Sequence, residues 1–129
     1  MLHRTIYASE AVGLTGETTL SIAQILGVSD RNNRGDHLTS CLMIHNGHIL
    51  QAIEGARVDI DRLLRRLAVD PRHAGLRVLI DAPVSVRRIN EPIALSADPA
   101  GLLQNLNLPC LSRITAANAE QMLDIRLAA

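Results

Sequence analysis

Two side chains of this sequence could do chemistry together, a phenol near the N-terminus and a carboxamide in the middle of the chain. Tyr7 is the only aromatic residue among 129, because the chain contains no Trp and no Phe. Gln51 lies in an apolar segment, where an amide costs about 1–3 kcal/mol unless its donors and acceptors are paired. A phenol can donate and accept a hydrogen bond. We therefore expect Tyr7 and Gln51 to pair in the core, which on periodicity alone is most often a structural arrangement.

A second group of side chains has the right types for a metal site but the wrong spacing. It consists of His37, Cys41, His45 and His48. Residues four apart on an extended strand share a face but lie about 13 Å apart, whereas Zn–ligand bonds measure about 2.0–2.3 Å. One metal ion cannot collect all four, and a two-histidine surface site at His45 and His48 stays as a minor alternative.

The other polar residues do not predict hydrolytic catalysis. Ser9, Glu54 and Asp59 show no spacing that would indicate a nucleophile and its base. We expect the histidines to occupy surface or cap positions and Glu54-Gly55 to form a turn that ends a strand.

The composition is that of one domain with balanced charge. Apolar residues make up 47% of the chain, and 13 basic residues balance 13 acidic ones. This balance argues against a polybasic surface for nucleic acid or for an anionic membrane. No apolar run of about 18 residues and no signal-peptide pattern is present. Cys41 and Cys110 lack disulfide-framework spacing, so we expect reduced thiols and a soluble, cytoplasmic protein.

The elements that must position these side chains follow the order β-α-β-β-α-β with a small extra edge strand. Strands are predicted at 2–8, 37–45, 48–54, 76–82 and, shorter, near 85–90, with helices after Thr18 and at 57–69. This order predicts an α+β fold with a ferredoxin-like sheet and two helices on one face. The tail, 97–129, is predicted to form two short helices, opened by Asp98-Pro99 and by Thr115, that cap the other face of the domain formed by 1–96.

The hairpin predicts a register. Asn46-Gly47 is a strong signal for a two-residue turn, and pairing His45 with His48 sets Leu42 opposite Gln51. Both faces of this hairpin are then apolar, so both need a cover. The two main helices cover one face, and the second is covered by the C-terminal helices or else is an oligomer interface. The faces are Leu38, Leu42, Ile44, Ile49 and Ile53 on one side, and Cys41, Met43, Leu50 and Ala52 on the other.

Five short segments follow one another in register along residues 2–96. They are LHRTIYAS (2–9), SDRNN (29–33), LTS (38–40), NGHILQAIEG (46–55) and DPRH (70–73). Together they resemble the BLUF domain, a blue-light sensor that uses flavin. The resemblance implies that one flavin is bound without a covalent bond, as FAD or alternatively as FMN or riboflavin.

The same resemblance implies a role for each matching residue. Tyr7 matches the electron and proton donor, and Gln51 the amide that rearranges its hydrogen bonds at the flavin N5/O4 edge. Asn33 matches the amide on the pyrimidine edge, with Asn32 beside it. Arg72 and His73 match positions near the ribityl and phosphate end of the flavin.

The implied function is that of a photoreceptor, not an enzyme, whose signal passes to a partner protein or through a homo-oligomer. Pro92 and Ala94 depart from the family pattern, since an aromatic residue and a Met usually stand there. This departure supports an alternative, a BLUF fold kept as a protein-interaction module without light sensing. A flavin-dependent oxidoreductase is a third possibility, although no nicotinamide motif is present.

Overall fold

A five-stranded sheet with strand order β4-β1-β3-β2-β5 organises the molecule. The computed structural model of the chain describes residues 2–11, 37–45, 48–69, 73–90, 94–95, 101, 103–104, 106–107 and 114–128. The strands are β1 (Leu2–Ala11), β2 (Thr39–His45), β3 (His48–Ala56), β4 (His73–Val84) and β5 (Ala94–Leu95), and the helices are α1 (Arg57–Ala68) and α2 (Ala116–Ala128). Strands β1 to β4 pair antiparallel, and β5 pairs parallel to β2.

This order of strands is that of a ferredoxin-like α+β fold, so the predicted fold class is confirmed. The hairpin register is also confirmed, because His45 pairs with His48, Leu42 with Gln51 and Ser40 with Ile53. Strand β1 lies between β3 and β4 in the interior of the sheet. Its position brings the N-terminal strand directly beside the strand that carries Gln51.

The prediction of a short strand near 85–90 was wrong. Residues 85–90 are described and are not a strand, and the extra edge strand is β5 instead. The backbone N–H groups of Arg88 and Ile89 donate to a side chain, the carboxylate of Glu54, so they do not form a ladder with a neighbouring strand. The helix predicted after Thr18 and the Asn46-Gly47 turn lie outside the described residues. Of the helix opened by Asp98-Pro99, residues 101, 103 and 104 are described, and they are helical.

Helix α1 covers one face of the sheet. The apolar residues of α1 recur at helical spacing, so Ile60 and Leu63 are buried against the sheet while Arg62 and Arg65 are exposed. The cluster that results consists of Tyr7, Leu38, Leu42, Ile49, Ile53, Ile60 and Leu63. We call this side of the sheet the α1 face.

Helix α2 covers the opposite side of the sheet, which we call the α2 face, as the apolar pattern predicted. Ala119, Met122 and Leu123 of α2 are buried in one cluster with sheet residues such as Ile6 and Leu50. The helix starts where the sequence predicted. Thr115 Oγ1 accepts a hydrogen bond from Asn118 N at 3.2 Å, while Asn118 Oδ1 accepts from Thr115 N at 3.2 Å, the reciprocal arrangement of a capping box.

Candidate functional site

A phenol–amide pair lies on the α1 face at the centre of the sheet. Tyr7 of β1 and Gln51 of β3 are directly opposite each other in the antiparallel register. The Tyr7 hydroxyl donates a hydrogen bond to Gln51 Oε1 at 2.5 Å, and both residues are buried, at 3% and 6% exposure. The pairing expected from the sequence is therefore present.

The surroundings of this pair are apolar. Leu42, Ile49 and Ile53 belong to the same buried cluster as Tyr7, and α1 adds Ile60 and Leu63. A hydrogen bond in such a low-dielectric setting is stronger than one in water. Because the amide oxygen accepts from the phenol, the carboxamide presents its NH₂ group as a donor toward a third group. The pair is suited to hold an acceptor atom at this face.

An unpaired hydroxyl lies two residues from the phenol on the same strand. Ser9 is 4% exposed, and its Oγ has no hydrogen-bond partner. Residues two apart on a strand point to the same face, so this hydroxyl and the Tyr7 side chain are on the α1 face together. A buried hydroxyl without a partner costs about 1–3 kcal/mol. It therefore marks a place where a polar ligand atom would be stabilising.

The other predicted site residues are placed only in part. Asn32, Asn33 and Arg72 lie outside the described residues. His73 begins β4, and its Cα pairs with that of Ala11 at the end of β1. The backbone of His73 is therefore at the end of the sheet to which Ser9 belongs, and its side chain is not described.

The two positions that depart from the family pattern are also only partly described. Pro92 lies outside the described residues. Ala94 is in β5, where it pairs in parallel with Cys41 of β2. The short edge strand thus includes one of the two positions that depart from the resemblance.

The sequence did not predict a charged cluster at the other end of the α1 face. His3 was expected at a surface position, but it is 9% exposed and its Nε2 contacts Asp81 Oδ1. Arg57 NH1 of α1 and Thr5 Oγ1 donate to the same oxygen at 3.2 and 3.3 Å. The cluster joins β1, β4 and α1. In the sequence, this cluster is indicated only by the alternation of His3, Thr5 and Tyr7, which places these three side chains on one face of the strand.

This cluster sets the protonation of Asp81. Burial alone would raise the pKa of this carboxyl group, but the hydrogen bond from His3 and the charges of Arg57 and His3 outweigh it. The net result is a pKa below the ordinary value for Asp. Asp81 is therefore held as a carboxylate.

A second unpredicted cluster surrounds Glu54, on the α2 face. Glu54 and Gly55 do not form the expected turn, since both lie within β3, and Glu54 is 0% exposed. Arg4 donates to Glu54 Oε2 from Nε at 2.8 Å and from NH2 at 2.5 Å. The N–H groups of Arg88 and Ile89 donate to Oε1 at 2.8 and 2.7 Å. Every oxygen of this buried carboxylate is thus paired.

Neither a metal site nor a membrane span is found in the part of the chain that the structure describes. No group of three or more His, Cys, Asp or Glu residues there could hold a metal ion. Among the same residues, no helix is both long enough and apolar enough to cross a bilayer.

The fold and the buried pair define a ferredoxin-like sheet domain with a phenol and a carboxamide hydrogen-bonded on its helix-covered face. The family model described as "Sensors of blue-light using FAD" matches residues 2–91. The chain belongs to the BLUF family, whose members bind a flavin.

One relative is similar to the chain in sequence, and two solved structures are similar to it in fold. A photoactivated adenylate cyclase subunit beta-like protein of Euglena gracilis is 31% identical over 86 residues, which are 67% of this chain and 10% of that protein. The structure "BlsA ground state" has a TM-score of 0.87 at 17% identity and covers 100% of this chain and 89% of its own. "BlrB - a BLUF protein, dark state structure" has a TM-score of 0.74 at 23% identity and covers 95% and 96%. The chain spans about a tenth of the length of the Euglena relative.

The residues on the α1 face fit a flavin. The ring system of a flavin is planar and largely apolar, with hydrogen-bond acceptors along one edge, and the cluster around Tyr7 offers apolar walls. The Gln51 NH₂ group can donate to such an acceptor, and the Ser9 hydroxyl lacks a partner.

Proposed function

We propose that this chain is a blue-light photoreceptor in which Tyr7 and Gln51 carry out the light-dependent step. The observation that supports the proposal is the hydrogen bond between Tyr7 and Gln51 Oε1, 2.5 Å long and buried on the α1 face. When bound, the flavin supplies absorption of blue light and a site that accepts one electron. FAD is the flavin we propose, by the family description.

The two side chains have separate tasks in this proposal. Tyr7 gives up one electron and its hydroxyl proton, and both return to the phenol, so no reagent is consumed. Gln51 accepts a hydrogen bond from the phenol, and this is the arrangement we propose for the dark state. While the phenol is oxidised, the carboxamide rotates or tautomerises and thereby changes the hydrogen bonds that it offers to the flavin edge.

The remaining parts of the proposal rest on the resemblance. Asn32 and Asn33 would hold the pyrimidine edge of the flavin, and Arg72 and His73 its ribityl and phosphate end. Output would pass to a partner protein or to a second copy of the chain, with no catalytic role for the described residues. A cytoplasmic location remains a prediction.

The test is a visible absorption spectrum of the purified protein before and after blue light. We expect a yellow protein whose flavin band shifts to the red and returns in the dark. Tyr7→Phe should keep the colour and lose the shift, because no other aromatic side chain is present to donate an electron. Gln51→Leu should also bind flavin and lose the shift.

Thr5→Val is the matched control, since it removes one hydroxyl from the same face of β1 two residues from Tyr7. We expect its light response to match that of the wild type. A red shift that survives in Tyr7→Phe would contradict the mechanism. A protein that neither retains nor binds added flavin would contradict the function.

The second candidate function is a protein-interaction module without light sensing. The observation that favours it is Ala94, which pairs with Cys41 in β5 where the family usually carries Met. A flavin-loaded protein with no spectral change on illumination would support this candidate.

A further inference from the structure

The segment at residues 87–89 is held in place by side chains of neighbouring strands. It follows β4 and is not itself a strand. Glu54 Oε1 accepts the N–H groups of Arg88 and Ile89 at 2.8 and 2.7 Å. Arg87 NH1 donates to Thr39 Oγ1 at 2.6 Å and to the Glu54 carbonyl at 3.1 Å. The position of the segment therefore depends on β3, above all on the Glu54 side chain.

Glu54 and Gln51 belong to the same strand but serve opposite faces. They are three residues apart on β3, so Gln51 points to the α1 face and Glu54 to the α2 face. Strand β3 is hydrogen-bonded to β1 on one side and to β2 on the other. A change in the backbone of β3 at Gln51 consequently reaches the Glu54 carboxylate over one short stretch of strand.

From Glu54, the contacts continue to α2. Ile89 is 1% exposed and belongs to the same buried cluster as Met122 and Leu123. Next to this segment, a cleft of about 390 Å³ is lined by residues that include Arg4, Arg88 and, from α2, Glu120 and Leu123. The cleft therefore borders both the segment and α2.

We propose that Glu54 is the positioning residue that couples rearrangement of Gln51 on the α1 face to the 87–89 segment and α2 on the opposite face. This inference rests on the proposed light response. The Glu54 side chain points to the α2 face, whereas Tyr7 and Gln51 meet on the α1 face. The role of Glu54 is to hold the 87–89 segment, on the α2 face, against β3, the strand that carries Gln51.

The test measures hydrogen exchange at the backbone amides of Arg88 and Ile89 in the dark and under continuous blue light, in the flavin-loaded protein. In the wild type we expect slow exchange in the dark and a severalfold change of rate under light. In Glu54→Gln we expect dark exchange about tenfold faster, because an amide replaces one of the two carboxylate oxygens. The flavin red shift should remain in this variant, while the light-dependent change at residues 88 and 89 should be lost.

Asp81→Asn is the matched control, because it also neutralises one hydrogen-bonded carboxylate, but on the α1 face. It should keep the light-dependent change at Arg88 and Ile89. If Glu54→Gln does not fold, Arg4→Lys gives a second variant that retains both oxygens of Glu54, and it should keep slow dark exchange and the response to light.

The outcomes are distinguishable. A red shift in the wild type without any light-dependent change of exchange at residues 88 and 89 would overturn the coupling and leave the proposed function intact. The coupling would also be overturned if the light-dependent change of exchange at residues 88 and 89 persists in Glu54→Gln. Loss of that change in Asp81→Asn or in Arg4→Lys would overturn the coupling as well. If the wild type shows no red shift, the proposed function fails and the coupling falls with it.

Discussion

Two buried polar groups, Gln51 and Glu54, distinguish β3 from an ordinary apolar central strand. Gln51 is paired with a phenol on one face, and Glu54 with a guanidinium on the other. Removing one partner of a buried ion pair such as Glu54–Arg4 typically costs about 3–5 kcal/mol, since the remaining charge has no compensation. Leaving a neutral buried amide such as that of Gln51 without its partner costs about 1–3 kcal/mol. The stability of β3 therefore depends on a partner for each of these two side chains.

At the same strand end, Gly55 is expected to resist any larger side chain. A Cβ at this position would overlap Leu38 Cδ2, and Leu38 is 1% exposed, so its side chain would have to move within the buried cluster. We predict that Gly55→Ala lowers the free energy of unfolding by about 1–3 kcal/mol, measured by urea denaturation. Unchanged stability would show that Leu38 repacks. Gly55→Ala combined with Leu38→Ala should recover part of the strain.

The residues that were predictable from the sequence are those whose environment is local. Gln51 interrupts an alternating apolar face, and this alone showed that it needed a polar partner. Glu54 and His3 could not be predicted in the same way, because Arg4 is 50 residues from Glu54 and Asp81 is 78 residues from His3. Only the pairing of β1 with β3 and β4 brings these partners together.

At the scale of elements, charges join β1, β4 and α1. Asp81 of β4 contacts His3 of β1, and Arg57 NH1 of α1 lies 3.2 Å from Asp81 Oδ1. Since α1 also covers the phenol–amide pair, this cluster fixes the helix to the sheet at the end remote from Ser9.

Acid should weaken this attachment in a predictable range of pH. The pKa of Asp81 is lowered in the folded state by its partners, which outweigh the effect of burial. The contribution of Asp81 to the free energy of unfolding is therefore complete above the pKa of Asp in the unfolded chain, about 4. It is lost as the pH falls through the lower pKa that Asp81 has in the folded protein. We predict that Asp81→Asn is less stable than wild type at neutral pH, and that the difference shrinks below about pH 4.

Urea denaturation at a series of pH values checks this prediction. Asp59→Asn serves as the comparison, because Asp59 forms an i,i+3 pair with the exposed Arg62, and such pairs contribute less than about 1 kcal/mol. A constant difference between Asp81→Asn and wild type down to pH 3 would contradict the assigned linkage.

Strands and helices were predictable from the sequence where a turn signal or the spacing of apolar residues on one face defined them. The hairpin register followed from a two-residue turn, and α1 followed from the spacing of Ile60, Leu63, Leu64 and Leu67. The segment at 85–90 was not predictable, because its amides bind a side chain from β3 and periodicity does not record such a partner. The position of β5 escaped prediction for a related reason, since its two residues are too few for a pattern.

At the scale of the whole molecule, the sheet is a layer between two apolar clusters, which differ in the residues that they contain. The cluster on the α1 face contains Tyr7, and the cluster on the α2 face is closed by α2. A change on the α2 face should therefore alter association with other molecules before it alters the photochemistry.

Met122→Asp provides the test. Met122 is 3% exposed, so a carboxylate there should detach α2 and expose apolar residues of the sheet, which promotes self-association. We predict a larger apparent mass by size-exclusion chromatography with an unchanged flavin spectrum. Gln121→Asp, at the neighbouring exposed position, should elute as the wild type. An unchanged elution of Met122→Asp would contradict the covering role of α2.

The burial of the single phenol has one more consequence, for optical measurement. With no Trp and no Phe, the near-ultraviolet circular dichroism and the intrinsic fluorescence of the polypeptide arise from Tyr7 alone. In most proteins such signals average over many rings, but here they report the rigidity and hydrogen bonding of one side chain. The apoprotein therefore carries a built-in probe of whether the hydrogen-bonded pair of Tyr7 and Gln51 is assembled before any flavin is added.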